Sequence, residues 1–317
     1  IDISKTIDNV EYLKKDPEIK VQLKKGNTIG CFYVESPGMR MLLSKLKADD
    51  YTRLVAASSI IRPGVSKSGM MQEYIKRFRN PEQRKYTHPK LAKLMKDTYG
   101  VMVYQEDVLK VAHFFAGLTL EESDILRRGM SGKFKESNGF HLIKEKFFIN
   151  CKRFGYSDKI TSEVWNQIES FGNYAFSKGH SASYAVESYQ SLYIKTHYPL
   201  EYMVATINNG GGFYTPETYI NEARKYSANI HGPCINNSGY LTKIYNKEIF
   251  LGLGMISELN NDIIQKIEDE KIKNGSFKNF TNFINRIQIP IKQINLLIRV
   301  GALRFTNKTK KELLWES

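Results

Sequence analysis

One stretch of this chain, residues 171–199, constrains its fold more than any other. It begins with a polar segment that contains glycine and continues into residues compatible with a helix. Pro199 marks the end of that helix, because the residue before a proline is driven out of the α region. Ser181 has a side chain that caps helix starts by accepting a backbone N–H bond. The pattern therefore predicts a loop that leads into a long helix beginning near Ser181.

Two cationic side chains precede that predicted cap. Lys178 and His180 lie in the predicted loop. A helix start has unpaired N–H groups and the positive end of the helix dipole, so it favours an anion. The pair is therefore a candidate phosphate site. The local sequence leaves an alternative open, in which an exposed lysine stands beside a histidine that hydrogen-bonds its own helix.

Positive charge is concentrated in two windows of the sequence. The chain has 317 residues and a formal net charge of +14. Residues 62–96 carry a net charge of +8 and residues 127–153 a net charge of +6, so the remainder is neutral. Such concentration favours a polyanionic partner, because each phosphate that is neutralised releases counterions. A nucleic-acid partner is favoured over a lysine-rich surface that is merely solvated.

Composition argues against several other classes of protein. Hydrophobic residues make up 41% of the chain, which is enough to bury a core. The three cysteines, Cys31, Cys151 and Cys234, lie far apart and fit reduced thiols better than a disulfide frame or a zinc site. There is no apolar run of about 18 residues and no visible secretory signal. We therefore expect a cytoplasmic protein without membrane contact.

Helical periodicity dominates the rest of the chain. Thr119 and Glu122 have the spacing of a capping box, and Asp49 or Asp50 is placed to cap a helix. Strands are predicted only at residues 28–34 and 244–253. Three consecutive glycines within residues 209–213 predict an internal boundary. Helices are predicted over residues 7–25 with a break near Pro17, 39–46, 51–60, 70–79, 101–118, 119–128, 140–154, 219–226, 260–273, 280–287 and 291–300. Ile160, Val164, Ile168 and Phe171 form a predicted core-facing stripe.

Seven motifs in register resemble one known family. The first, at residues 171–185, reads Phe-Gly-Asn-Tyr-Ala-Phe-Ser-Lys-Gly-His-Ser-Ala-Ser-Tyr-Ala. The others lie at residues 30–40, 61–64, 99–106, 124–130, 198–203 and 299–303. Together they resemble the fingers and the following helical region of the bacterial C-family replicative DNA polymerases, the α subunit of DNA polymerase III. The resemblance spans roughly residues 23 to 305.

The resemblance implies a mostly α fold, a multi-helix fingers module with a C-terminal helix-hairpin-helix-like part and very little β structure. Residues 1–50 would connect from a palm domain outside this chain, residues 51–208 would form the fingers, and residues 214–317 the degenerate hairpin region. Residues 256–261 stand where the family has hairpin glycines. Two alternatives stay open for that region: contact with DNA, or a purely structural helix pair.

The resemblance also implies a set of binding residues. In the family, an arginine pair, the lysines after it and a Lys-x-His segment grip the triphosphate of the incoming nucleotide. Carried onto this sequence, the nucleotide-binding residues are Arg127, Arg128, Lys133, Lys135, Lys178 and His180, with Arg62 as a weaker candidate. In the basic window, Lys67, Lys76, Arg77 and Arg79 are expected to follow the DNA backbone rather than read bases.

Phosphoryl transfer to DNA uses two metal ions held by carboxylates. The sequence contains no paired carboxylates at the end of a strand, so we expect no catalytic or metal-binding residue in this chain. The resemblance implies a parent DNA-directed DNA polymerase, a nucleotidyltransferase, whose palm aspartates hold Mg²⁺ and lie outside this fragment, leaving the fragment inactive alone. Its partners would be dNTP, primer-template DNA, a sliding clamp and other replicase subunits. The alternative function is a non-enzymatic helical module that binds nucleic acid.

Overall fold

A computed structural model of the chain describes residues 3–61, 69–130, 138–172 and 176–317. These residues form two compact units, Ile1–Thr196 and His197–Ser317, and they are mostly helical, as predicted. The first unit contains α1 (Ser4–Ile7), α2 (Val10–Leu13), α3 (Pro17–Lys25), α4 (Pro37–Leu46), α5 (Tyr51–Ile60), α6 (Met70–Arg79), α7 (Pro89–Leu94), α8 (Gln105–Lys110), α9 (Leu120–Gly129), α10 (Asn138–Arg153) and α11 (Asp158–Gly172), and α12 (Lys178–His197) begins in it.

Local capping explains where several of these helices begin. The Asp50 carboxylate accepts a hydrogen bond of 2.8 Å from the Arg53 N–H, which confirms one of the two caps considered for α5. Thr119 and Glu122 form the predicted capping box at the start of α9, with reciprocal bonds of 3.1 and 2.9 Å. The predicted break near Pro17 is also confirmed, because α3 starts there.

The predicted strand at residues 28–34 is wrong, because this segment is a closed turn. The Thr28 hydroxyl donates to the Val34 carbonyl at 2.6 Å, and the Gly30 N–H donates to the Glu35 carboxylate at 2.8 Å. These two bonds tie the ends of the segment together. Its β-branched and aromatic composition indicated a strand, but no neighbouring strand exists among the described residues of this unit for it to pair with.

The predicted helix over residues 101–118 begins later than its apolar spacing suggested. The Asp107 carboxylate accepts hydrogen bonds of 3.0 Å from the N–H groups of Val103 and Tyr104, so α8 starts only at Gln105. Its continuation, Val111–Phe115, is a π-helical turn. Single π turns inside helices often occur at functional sites.

The core of the first unit surrounds α8 to α11. Val164, Ile168 and Phe171 are buried in it, as the predicted stripe on α11 requires, and Ile160 packs against it partly buried. These side chains meet Phe115 of the π-helical turn and Phe147 of α10 within the same cluster. Burial of this apolar surface fixes the positions of α8 and α9, from which part of the candidate site is built.

The second unit combines six helices with a small sheet among its described residues. The helices are α13 (Pro199–Asn209), α14 (Pro216–Arg224), α15 (Asn261–Asn274), α16 (Phe280–Ile287), α17 (Ile291–Arg299) and α18 (Lys310–Glu316). The strands β1 (Asn229–His231), β2 (Lys243–Tyr245) and β3 (Glu248–Phe250) form a sheet in the order β1-β3-β2. β1 is parallel to β3, with Ile230 opposite Ile249, whereas β2 is antiparallel to β3.

Two details of the second unit differ from the predictions. The strand predicted at residues 244–253 is instead a hairpin, β2 and β3, because Asn246 takes a left-handed conformation with φ of 57° and turns the chain. The predicted boundary at residues 209–213 lies inside this unit. α13, which precedes it, belongs to the second unit because Leu200, Met203 and Val204 pack with Ala223 and Ile249. Helices α15 to α18 share a separate cluster that includes Ile267, Phe283 and Leu297.

Candidate functional site

The predicted arginine pair occupies the last turn of α9. Asp124, one turn earlier, binds both guanidinium groups: Arg127 Nη2 lies 2.8 Å and Arg128 Nη2 lies 3.0 Å from its carboxylate oxygens. The i,i+4 ion pair between Asp124 and Arg128 that the sequence suggested is therefore present. Arg127 also donates to the Gln105 side-chain oxygen at 3.2 Å. Both arginine side chains keep part of their surface exposed, 28% and 58% respectively.

The two arginines change the acidity of the carboxyl group between them. The hydrogen bond from Arg127, together with the positive charges of both guanidinium groups, lowers the pKa of Asp124 below its ordinary value. Asp124 is therefore ionised at neutral pH, and it balances part of the positive charge at the end of α9. An anion that binds these arginines has to compete with this carboxylate.

The start of α12 differs from the predicted loop and cap. Lys178 is the first residue of α12, and His180 lies in its first turn, so neither stands in a preceding loop. Ser181 is not the cap. It is fully buried, and its hydroxyl forms a hydrogen bond with the Ser59 hydroxyl of α5. The helix starts earlier than predicted because a distant carboxylate satisfies its first N–H group.

That carboxylate belongs to Glu106 of α8. Its two oxygens accept hydrogen bonds of 3.1 and 2.9 Å from the Lys178 N–H, and the Ser177 hydroxyl donates to it at 3.2 Å. The Gln105 N–H donates to the Phe176 carbonyl at 2.9 Å, so the backbones are also joined. Glu106 is a positioning residue that was not predicted, since a contact across 72 residues leaves no local pattern in the sequence.

The start of α8 therefore connects two groups of predicted phosphate-binding residues. Gln105 binds Arg127, and the next residue, Glu106, binds the backbone of Lys178. The Lys178 ammonium lies 3.8 Å from a carboxylate oxygen of Asp97. His180 is exposed. Two consecutive residues at the start of α8 thus contact Arg127 of α9 and Lys178 of α12, although nothing local in the sequence links these two helices.

The predicted DNA-contacting residues of α6 have different environments. Arg77 donates to Glu73 at 2.7 Å and to the Tyr99 carbonyl at 3.0 Å, so it braces the fold. Arg79 donates to the Lys45 carbonyl at 3.3 and 3.1 Å, and both Arg79 and Lys76 are exposed. Lys76 lines an open cleft of about 770 Å³. Arg62, Lys67, Lys133 and Lys135 lie outside the described residues.

Within residues 3–61, 69–130, 138–172 and 176–317, no group of three or more His, Cys, Asp or Glu side chains is arranged to hold a metal ion. None of the helices in these ranges is long and apolar enough to cross a membrane.

Comparison with known proteins identifies the family. A model of the bacterial DNA polymerase III alpha subunit finger domain matches residues 2–155, and a helix-hairpin-helix motif model matches residues 227–313. The DNA polymerase III subunit alpha of Aquifex aeolicus is 35% identical over 313 residues, which cover 97% of this chain and 27% of that protein. The chain belongs to the DNA polymerase III α-subunit family. The Staphylococcus aureus subunit alpha is 34% identical over 320 residues, covering 99% of this chain and 29% of that protein.

The match confirms both the recognised family and the helix-hairpin-helix character predicted for the C-terminal part. The chain spans less than a third of the length of the curated α subunits it matches. Arg127 and Arg128 lie within the stretch that the finger model matches, whereas Lys178 and His180 lie between the two matched stretches.

Proposed function

We propose that this chain is the fingers and helix-hairpin-helix region of a replicative DNA polymerase, and that it binds the triphosphate of the incoming dNTP and primer-template DNA. The observation that carries the proposal is the junction at the start of α8. There, consecutive residues hold Arg127 of α9 and the backbone of Lys178 at the start of α12. Family membership supports the same function.

The proposed role of the site is electrostatic. Guanidinium groups bind phosphate through paired N–H donors, and charge-assisted bonds of this kind are the strong ones. Arg127, Arg128, Lys178 and His180 would stabilise negative charge on the leaving pyrophosphate. The carboxylates of Asp97 and Asp124, which now bind three of these cations, would give way to phosphate oxygens.

Catalysis would need groups that the described side chains do not supply. A polymerase of this kind requires Mg²⁺ held by carboxylates, and we propose that those carboxylates lie in a palm domain outside this chain. The chain by itself is then expected to extend no primer. The sliding clamp and other replicase subunits stay predicted partners of the longer protein.

Nucleotide kinetics test the proposed phosphate site. In the full-length polymerase, replacing Lys178 or Arg128 by Ala removes a charge-assisted contact of about 1.5–3 kcal/mol, which corresponds to roughly a tenfold to hundredfold loss in nucleotide use. The loss is expected to be alike for all four nucleotides, because phosphates carry no base information. Steady-state kinetics and a thermal melt of each variant are the measurements.

Lys159→Ala is the matched control, since Lys159 is an exposed lysine in the first turn of α11. It should leave nucleotide use unchanged. A lower melting temperature with unchanged kinetics in the Lys178 and Arg128 variants would mean that these residues serve the fold only.

Binding of primer-template DNA is tested by its salt dependence. We expect weak binding by the chain that is independent of sequence and falls steeply as salt rises, because each neutralised phosphate releases counterions. Lys76→Ala should reduce the slope of log affinity against log salt by about one, and Lys159→Ala should not. Fluorescence anisotropy with two unrelated primer-templates measures both. If the chain binds DNA but the Lys178 and Arg128 variants leave nucleotide use unchanged, the alternative of a non-enzymatic binding module is favoured.

A further inference from the structure

Four aromatic side chains lie together beside the start of α12, and we name this group the aromatic platform. Phe32 and Tyr33 come from the turn at residues 28–34, Phe176 precedes α12, and Tyr184 lies on its second turn. Phe32 is 44% exposed and Tyr33 is 37% exposed, while the other two are partly buried. The platform is therefore a surface feature and not a part of the core.

The rings form one connected group. The ring centroids of Tyr33 and Tyr184 lie 4.7 Å apart, and those of Phe32 and Tyr184 lie 5.8 Å apart. Phe176 stacks near Tyr184 at 6.3 Å. These separations are those at which aromatic rings interact favourably. The four rings are held against one another, although two of them remain open to solvent.

Hydrogen bonds hold the backbone of the turn at residues 28–34 in a position that leaves the rings of Phe32 and Tyr33 partly exposed to solvent. The Phe32 N–H donates to the Ser191 hydroxyl at 3.2 Å, and the Ser188 hydroxyl donates to the Phe32 carbonyl at 3.0 Å. Tyr33 has a φ of 63°, a left-handed conformation that is strained for a bulky side chain. Strained residues of this kind cluster at ligand-binding sites, and the two exposed rings beside this one favour an external ligand.

The position of the platform specifies that ligand. His180 lies in the same turn of α12 as Lys178. The centroid of its ring lies 6.0 Å from that of Phe176. Tyr184 follows His180 by four residues, which places it about 6 Å further along the helix axis. An anionic group held by Lys178 and His180 would therefore have aromatic rings one helical turn away. A nucleotide joins a phosphate chain to a flat ring system that stacks well on aromatic side chains.

We propose that the aromatic platform stacks the base of the nucleotide whose phosphates bind at Lys178 and His180. This inference rests on the proposed function and extends it from the phosphates to the base. Stacking on an aromatic face tolerates every base, so the platform would add affinity without selecting among the four nucleotides. Selection would then be left to pairing with the template.

The test compares two ligands on the full chain. Isothermal titration measures binding of dATP and of inorganic tripolyphosphate, which has the phosphates without the base. Phe32→Leu and Tyr33→Gly each remove one exposed ring. Each is expected to weaken dATP binding by about tenfold while leaving tripolyphosphate binding unchanged. Phe114→Leu is the control, since Phe114 is 54% exposed and lies elsewhere, in the π-helical turn.

Tyr33→Gly also separates binding from folding. Glycine accepts a positive φ without strain, which offsets the lost ring contacts, so the melting temperature of this variant should change little even though dATP binding weakens. Unchanged dATP affinity in both ring variants would overturn the inference but not the proposed phosphate site. Equal affinities of the wild type for dATP and for tripolyphosphate would have the same consequence. Failure of both ligands to bind the wild-type chain would overturn the proposed function and this inference together. If the two ring variants bind a single-stranded oligonucleotide more weakly than the wild type but bind dATP as tightly, the platform contacts a DNA strand and the inference is wrong.

Discussion

The end of α9 and the start of α12 carry cations for one proposed ligand, but the fold holds them in different ways. Arg127 and Arg128 share Asp124, a neighbour on the same helix. Lys178 is held through its backbone N–H by Glu106, 72 residues away in the sequence. The arginine arrangement is therefore a property of one helix. The arrangement at Lys178 exists only when α8 and α12 pack together.

This difference has an energetic counterpart. Ion pairs between partly exposed side chains contribute little, typically about 0.2–1 kcal/mol, because water and salt screen them. A side chain that caps a helix contributes about 0.5–2 kcal/mol, because it satisfies a backbone N–H group that otherwise has no partner. The start of α12 should therefore be the more sensitive of the two regions to loss of its acidic partner.

The largest effect is expected from Glu106→Ala. This change removes both hydrogen bonds to the Lys178 N–H and the bond from Ser177. We expect the free energy of unfolding to fall by about 1–2 kcal/mol, measured by urea denaturation. Glu106→Gln keeps an acceptor oxygen and should lose less. The control is Glu121→Ala, at an exposed glutamate in the first turn of α9. Equal losses for Glu106→Ala and the control would remove the distinction between the two regions.

A smaller effect is expected from Ser181→Ala, which tests another long-range attachment of α12. The Ser181 and Ser59 hydroxyls are both buried and bonded to each other, and Ser59 also bonds the Val55 carbonyl at 3.0 Å. Because Ser59 keeps that second partner, the variant should lose only about 1 kcal/mol of unfolding free energy. Ser183→Ala, at an exposed serine of the same helix, is the comparison. If both variants lose the same amount, the bond to α5 adds nothing.

The same distinction explains what could be predicted from the sequence. Helix existence, the capping box at Thr119 and the pair between Asp124 and Arg128 depend on residues three or four apart, so spacing alone identified them. The contacts of Glu106 and the bond between Ser181 and Ser59 depend on packing between distant segments, so no local pattern predicted them. The turn at residues 28–34 is closed by its own hydrogen bonds and attached to α12 by two more, where β propensity assumed a neighbouring strand.

The smallest effect concerns Asp124 and its dependence on pH. Arg127 and Arg128 lower the pKa of Asp124 in the folded chain, whereas in the unfolded chain the group titrates near its ordinary value of about 3.9. The unfolded state therefore binds a proton more readily. The stabilisation from this pair is fully present above the unfolded pKa, and it is lost as pH falls through the lower, folded pKa.

Asp124→Asn removes that stabilisation and the competing negative charge together. At pH 7 we expect a loss of roughly 0.3–0.5 kcal/mol in unfolding free energy, and the difference from the wild type should shrink toward zero as the pH falls through the lowered, folded pKa of Asp124, and at high salt. Because Asp124 no longer competes for the two arginines in the Asp124→Asn variant, tripolyphosphate should bind that variant more tightly than the wild type. The control for phosphate binding is Asp158→Asn, at an exposed residue that opens α11, which should leave the affinity for tripolyphosphate unchanged. If the affinity for tripolyphosphate does not rise in Asp124→Asn, Asp124 and the phosphates do not compete for the same arginines. The proposed site would then include the start of α12 but not the end of α9.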